Sequence, residues 1–425
     1  MNRRTLFIIA VACVAIAMVG SVLLPLPRPA GPQISLPVLR VLACPTGDSN
    51  LGKTTVTVTD QENFTAGELN ALPSDPTTQT SFQDPDKVVV VRGSASVGGV
   101  SSFAQTDTGM VAPCSAPITT GSWNGVMTSE GATLVMTNID ATAAVVDVSI
   151  YGQTGQLTPA GLRDIPVASG ATQALPIDED LVTSDTPITV QVRASKGRVL
   201  ALLRIMGTDG DDWQVPQPST DTDLTIAGIP AGDGLRTLSV TNTDPSSKAE
   251  VTVQILGTTG PFAPLGMETI EVPPSRVSTV DLTQALGGQA AAVHLVSNQP
   301  VTATVVVSGP DVAGISAQPP LSGTVVLPPL GGTLWAANPG TDPATVSLRF
   351  EDANGAAQTS DLTIPPQANA SVDFPSTGTS VTVSTDSPVV RSSLVLTDPG
   401  WSILPVISGG GDTLVDVPPL APGLG

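Results

Sequence analysis

The segment Gly47-Asp48-Ser49-Asn50-Leu51-Gly52-Lys53-Thr54 fits the phosphate-loop pattern G-x-x-x-x-G-K-[ST] at every required position. In a nucleotide site that loop opens a helix whose N-terminal amides hold the phosphates, while the Ser or Thr hydroxyl binds magnesium. Here the chain runs on through Thr55-Val56-Thr57-Val58-Thr59-Asp60, an alternating β-branched run that belongs to a strand. The segment therefore reads as a glycine turn joining two strands, and no cofactor is expected.

The other groups with chemistry to offer are sparse or scattered. His294, in Ala291-Ala292-Val293-His294-Leu295-Val296, is the single histidine. It cannot build a multi-histidine metal site, and its strand setting points to a structural role. Cys44 and Cys114 lie beyond an apolar N-terminal run, in what reads as an oxidising compartment, and are expected to form a disulfide. Closing a loop of about 70 residues stabilises by roughly 4 kcal/mol on loop entropy. Cys13 follows Ala10-Val11-Ala12, faintly like a lipoprotein acylation site, but few apolar residues precede it and it reads as a thiol buried in the apolar run. With Cys44 and Cys114 bridged no thiol nucleophile is expected, and the serines lack a G-x-S-x-G elbow.

Acidic groups cluster at Asp178-Glu179-Asp180, at Asp209 with Asp211 and Asp212, and at Asp221 with Asp223. Such loops could coordinate calcium, and carboxylate pairs can hydrolyse glycosidic bonds. None has calcium-loop spacing, and solvated loop charge is the plain reading. The tryptophans Trp123, Trp213, Trp335 and Trp401 are spread along the chain; Trp213 and Trp401 read as corner packing and not as a sugar-binding stripe. No catalytic, metal or cofactor-binding residue is assigned, and the chain reads as a non-enzyme.

The elements that hold these residues announce themselves by repetition. Thr133-Leu134-Val135-Met136-Thr137-Asn138, Thr237-Leu238-Ser239-Val240-Thr241-Asn242 and Thr333-Leu334-Trp335-Ala336-Ala337-Asn338 recur, and turn glycines follow in step at Gly155, Gly260 and Gly355. Between them the apolar positions alternate: Val146, Val148, Ile150; Val251, Val253, Ile255; Val346, Leu348, Phe350. Period two with one polar face predicts a half-buried strand packed on a second sheet. Ile165-Pro166, Val272-Pro273 and Ile364-Pro365 align, as do Pro187-Ile188, Pro300-Val301 and Pro388-Val389. About seven short strands in about 100 residues predict an all-β fold of tandem immunoglobulin-like or fibronectin-like β-sandwich repeats. A weaker copy precedes these. Lys87-Val88-Val89-Val90-Val91-Arg92 matches a late strand, but the regular front half reads as lost and replaced by the disulfide. Thr413-Leu414-Val415-Asp416-Val417 looks like a leading strand, which adds to the last sheet or closes a ring as in a propeller, although about 100 residues is long for a blade.

Arg3 and Arg4 precede an uncharged run from Leu6 to Leu26, long enough as a helix to span roughly 30 Å of hydrocarbon. The positive-inside bias then puts the N-terminus in the cytoplasm and the bulk outside. The expected localisation is the cell membrane, single-pass, or secreted if cleavage occurs near Val19-Gly20-Ser21. The expected layout is a cytoplasmic tip at 1–4, a transmembrane signal-anchor helix at 5–27, and a proline-rich linker at 28–37. A degenerate disulfide-stapled β domain follows at 38–117, then repeats at 118–215, 216–318 and 319–405, and a C-terminal strand and tail at 406–425. With 17 basic against 37 acidic residues, a net charge of −20, nucleic acid and anionic lipid surfaces are excluded as partners.

The run Cys114-Ser115-Ala116-Pro117, then Trp123, Leu134 to Asn138 and the strand closing at Gly152 and Gly155 resembles a family of actinobacterial secreted or membrane proteins known only as a domain of unknown function. The stretch Val88 to Arg92 is similar to that pattern too, and around Trp123 the chain departs from a more aromatic cluster in the family. The resemblance implies an actinobacterial envelope protein without an assigned activity, often encoded near envelope glycosylation genes. The expected function is a scaffold or protein-interaction module for an envelope protein; the alternative is a glycan-binding accessory to cell-envelope polysaccharide assembly that engages a cell-wall glycan.

Overall fold

The computed structural model describes residues 40–407 apart from 46–51, 59–63, 70–78, 83–86, 94–96, 105–108, 126–130, 179–180, 183–186, 208–209, 310, 353 and 399. Strand dominates these residues, and helix is almost absent. The first unit holds β1 (Arg40–Cys44), β2 (Gly52–Val58), β3 (Phe64–Glu68), β4 (Gln79–Phe82), β5 (Val89–Gly93), β6 (Val97–Ala104) and β7 (Gly109–Pro113). The second holds β8 (Thr120–Gly125), β9 (Ala132–Thr137), β10 (Ala144–Tyr151), β11 (Gln156–Leu157), β12 (Ile165–Val167), β13 (Thr172–Ile177), β14 (Ile188–Lys196), β15 (Leu200–Met206) and β16 (Asp211–Gln214). The third holds β17 (Asp221–Ile229), β18 (Leu235–Asn242), β19 (Ala249–Gly257), β20 (Gly260–Phe262), β21 (Thr269–Val272), β22 (Arg276–Asp281), the short helix α1 (Thr283–Leu286), β23 (Ala291–Ser308) and β24 (Val312–Ser316). The fourth holds β25 (Thr324–Leu327), β26 (Thr333–Asn338), β27 (Ala344–Glu351), β28 (Ala357–Ile364), β29 (Ala368–Asp373), β30 (Ser380–Thr385), β31 (Arg391–Leu396) and β32 (Ser402–Pro405).

Setting aside the flanking strands β11, β12, β20, β21 and β28, which pair only with the third-position strand, every unit has the same connectivity. One sheet runs 1-5-3 and the other 4-2-6-7: β1-β5-β3 with β4-β2-β6-β7, β8-β14-β10 with β13-β9-β15-β16, and β25-β30-β27 with β29-β26-β31-β32. In the third unit the fifth and sixth positions are one long strand, β23, whose first half pairs β17 and β19 and whose second half pairs β18 and β24. Pro300 lies where it changes sheets, a place where a missing N–H costs no ladder bond. An immunoglobulin constant domain instead pairs 1-2-5-4 against 3-6-7. The two-sheet sandwich of the sequence expectation is present, with a connectivity of its own.

Three details differ from the sequence reading. The first unit keeps its front half: β1 to β4 are all formed, and the sheets are complete. The polar run Lys53-Thr54-Thr55-Val56-Thr57 hid a strand in which Thr54, Thr55 and Thr57 are themselves buried. Pro187-Ile188 leads into the fifth-position strand β14, whereas Pro300-Val301 and Pro388-Val389 lead into the sixth position, so those three are not equivalent. The membrane localisation is corrected as well: among the described residues no helix is long and apolar enough to cross a membrane, and α1 has only 4 residues. Leu6 to Leu26, the proline-rich linker and Thr413 to Val417 lie outside the described residues.

The cores follow the alternation. Val146, Val148 and Ile150 are buried with Leu134, Met136, Val190 and Leu203; Val251, Val253 and Ile255 with Leu238, Val240 and Val305; Val346 and Leu348 with Leu334, Val383 and Leu394. Phe350 is only partly buried. Fully burying each such side chain stabilises by about 1.5–3 kcal/mol.

The asparagine that closes each repeated strand has a physical reason. Asn138 Nδ2 donates to Thr142 O (2.8 Å) and Val167 O (3.0 Å), and Asn242 Nδ2 to Ser247 O (2.7 Å) and Val272 O (3.3 Å). Asn338 Nδ2 donates to Asp342 O (2.7 Å) and Ile364 O (3.4 Å). Their Oδ1 atoms accept from the backbone N–H groups of Asp140, Asp244 and Gly340, each at 3.0 Å. A fully buried amide thus ties the turn between the second and third strands to the strand or turn that follows, satisfying backbone groups that would otherwise be stranded.

Candidate functional site

The chemistry-bearing residues of the described chain converge where the units meet. The first strand of each unit packs on the sixth strand of the next: β8 on β23, β17 on β31, and β25 on β6. Ala43 of β1 shares an apolar cluster with Leu200 of β15. The fourth unit therefore returns to the first, and the seventh strands β7, β16, β24 and β32 touch in sequence around the middle. The four sandwiches close a ring.

Two seams each carry a glutamine at the same place, used in different ways. Gln217 exchanges backbone hydrogen bonds with Ser122 of its own first strand (2.9 Å each), while its side chain accepts from Ala303 N (2.9 Å) and donates to Val301 O (3.2 Å) of the third unit. Gln318 instead brackets Ala227 of its own first strand with its side chain, accepting from N (2.8 Å) and donating to O (3.2 Å), and crosses the seam by reaching Ser393 Oγ of the fourth unit (3.1 Å). Beside the first clamp, Gln214 Nε2 lies 3.1 Å from Thr304 Oγ1 and 2.9 Å from Ser316 Oγ, and Thr302 Oγ1 donates to Asn124 Oδ1 at 2.9 Å. Gly314 fits there because a Cβ would come within 2.6 Å of Ile205 Cδ1.

In the first unit the corresponding backbone exchange joins Ala43 and Ser115 (2.9 Å each), and the residues beside them, Cys44 and Cys114, form the expected disulfide. The staple stands where the second and third units carry a glutamine clamp.

At the middle of the ring Asp212 of β16 is fully buried. Ser402 Oγ of β32 lies 3.0 Å from its Oδ1 and 3.1 Å from Val111 O of β7, and accepts from Val111 N at 3.0 Å. Asp212 Oδ2 has no hydrogen-bond partner. Burial, reinforced by the nearby Asp311 and Asp211, pushes the carboxyl pKa well above the ordinary range, against the weaker pull of its hydrogen bonds to Ser402 and the backbone. Asp211 is different, held by Arg204 at 2.7 Å. On one side of this centre Val215, Gly314, Ile315, Ile403 and Ile407 line an apolar depression of about 310 Å³ that includes the open solvent at its mouth.

The sequence candidates fall as follows. Gly47 to Leu51 lie outside the described residues, while Gly52, Lys53 and Thr54 lie on β2, a strand and not a helix start. His294 on β23 pairs with Asp223 Oδ1 at 3.1 Å. Glu179, Asp180 and Asp209 lie outside the described residues, and among those described no group of three or more His, Cys, Asp or Glu side chains could hold a metal. Trp213 is not at a corner but in the central cluster with Met110, Ala112 and Leu202; Trp401 packs on the third unit's core, its backbone N–H donating to Asp311 Oδ2 at 2.6 Å. Trp123 is buried, donating Nε1–H to Gln214 O at 2.9 Å, and Trp335 also packs on the third unit's core. The Gln-Pro pairs at Gln217 and Gln318 were the missed signal, legible as a repeat 101 residues apart had glutamine been counted as a core residue.

The family model described as "Family of unknown function (DUF5719)" matches residues 91–375, about two thirds of the chain. No curated protein matches. The crystal structure of a tetra-tandem repeat in the extending region of a large adhesion protein is similar at 11% identity over 86% of this chain and 97% of that one, with a TM-score of 0.13. The Streptomyces avermitilis α-L-rhamnosidase complexed with L-rhamnose is similar at 11% identity over 87% of this chain and 54% of that one, also with a TM-score of 0.13. At those scores neither likeness bears on fold or activity. The family match does, and the chain belongs to DUF5719.

Proposed function

We propose that this DUF5719 member is a non-catalytic scaffold whose closed ring of sandwiches presents loops and flanking hairpins to a protein partner of the actinobacterial envelope. The observation that carries this reading is the use of its polar side chains: Asn138, Asn242, Asn338, Gln214, Gln217 and Gln318 hold turns and seams, and His294 and Asp223 pair with each other across β17 and β23. The disulfide suits an oxidising compartment. An ordered apolar tip on the third unit suits a docking role. There Met267 N donates to Pro264 O at 3.0 Å, closing a turn that leaves Leu265 92% exposed beside exposed Phe262. Glycan binding has less support, because Trp123, Trp213 and the single Tyr151 are buried, Trp335 and Trp401 are half-buried against the third unit's core, and exposed Phe262 stands without an aromatic partner beside it among the described residues.

The test is a pull-down of solubilised envelope on immobilised residues 28–425, with and without protease treatment of the extract. Capture of a discrete protein that is lost on protease, and lost again on Leu265→Asp, is the expected result. Retention of a protease-resistant polymer would replace the scaffold reading with the glycan one.

A further inference from the structure

The seams from first to second, second to third and third to fourth unit are each crossed by the chain, but the seam between fourth and first is not. It holds by packing, by a hydrogen bond from Thr57 Oγ1 to Thr379 O (3.4 Å), and by the cluster in which Asp212 from the second unit meets Ser402 from the fourth and Val111 from the first. We propose that the ring is latched at this seam by a single carboxylic-acid proton on Asp212, so that the closed ring is a proton-bound state that loosens when the proton leaves.

The argument begins with Ser402, whose hydroxyl has one hydrogen. Two oxygens, Val111 O at 3.1 Å and Asp212 Oδ1 at 3.0 Å, lie within reach of it. If Asp212 is ionised both are acceptors and one contact goes unmade. If Asp212 is neutral its Oδ1–H donates to Ser402 Oγ, Ser402 donates to Val111 O, and Val111 N–H donates back to Ser402, so every contact in the cluster has its hydrogen. Oδ2 is then a carbonyl oxygen, the cheapest polar atom to leave buried without a partner. A fully buried carboxylate without a cation would carry a penalty of the kind that neutralises such groups.

Among the described residues no cation is paired with Asp212. β7 and β32 carry no titratable side chain. Asp311 before β24 and Asp211 on β16 both disfavour a negative charge, and Arg204 of β15 is turned to Asp211. The sign follows from linkage: the closed state holds a proton that an opened seam releases. Stability from this group is complete below the ordinary aspartate pKa of about 4 and is lost as pH rises through the elevated value in the closed ring.

The test is amide hydrogen exchange at Val111 in the full chain across pH, corrected for intrinsic exchange, for the wild type and Asp212→Asn. The expected result is a seam-opening constant in the wild type that rises by up to about tenfold per pH unit above about 4 and then levels, with no such rise in Asp212→Asn. An independent check needs no variant: the infrared band of a neutral carboxyl group should persist in the wild type at about pH 6, where exposed carboxyls are ionised. Equal pH slopes in the two proteins, or absence of that band, would overturn the latch. So would protection of Val111 by added calcium at neutral pH, which would make the cluster a cation site.

Discussion

Leu134, Val240 and Leu348 lie in three cores built from aliphatic side chains, while Asn124, Gln214, Gln217, Thr304 and Gln318 lie just as deep between the sandwiches. Burial is the same in both regions and the chemistry is not. Apolar packing is non-directional and tolerates sliding, so it stabilises a sandwich without fixing where the next one sits. An amide that must meet Ala303 N and Val301 O at once accepts one placement only. The cores supply the stability of each unit and the seams supply the geometry of the ring, at the risk that a half-satisfied seam is worse than an apolar one.

Substitutions can break that contrast in graded steps. Leu238→Ala, in the third core, should cost about 4 kcal/mol in chemical denaturation, from lost transfer energy plus a cavity. Asn338→Ala strands Gly340 N, Asp342 O and Ile364 O together and should cost about 3 kcal/mol. At a seam, Gln318→Ala should cost about 2 kcal/mol, and its effect should concentrate in faster amide exchange of Ala227 and not of core strands. A core-like global effect from Gln318→Ala would erase the distinction drawn here. The smallest effect has the opposite sign. Ser275 and Gln367 adopt φ values of 54° and 49° at turns where the second unit has Gly170, so Gln367→Gly should raise stability by up to about 1 kcal/mol, read as a higher Tm.

The sandwich cores were legible because hydrocarbon alternates with the strand period. Val146, Val148 and Ile150 carry that signal in the first clear repeat, and the Asn at the end of each repeated strand set the phase. The Cys44–Cys114 pairing was expected and is formed. The front half of the first unit was not, since buried Thr54, Thr55 and Thr57 look like a polar surface run. Ring closure was legible only as an alternative hung on Thr413 to Val417, outside the described residues: the contact that closes it joins Val111 and Ser402, 291 residues apart, and a seam of Gln, Thr and Ser has no periodicity to betray it. Asp212, one of three nearby aspartates, reads as loop charge until β7 and β32 are seen to cover it.

The central claim is closure of the ring between the first and fourth units, and small-angle X-ray scattering of residues 40–407 tests it most directly. A closed ring should give a radius of gyration of about 21 Å, the value for a compact unit of this length. A string of sandwiches with the fourth unit free of the first would give a clearly larger value and an elongated distance distribution, and such a result would contradict the account.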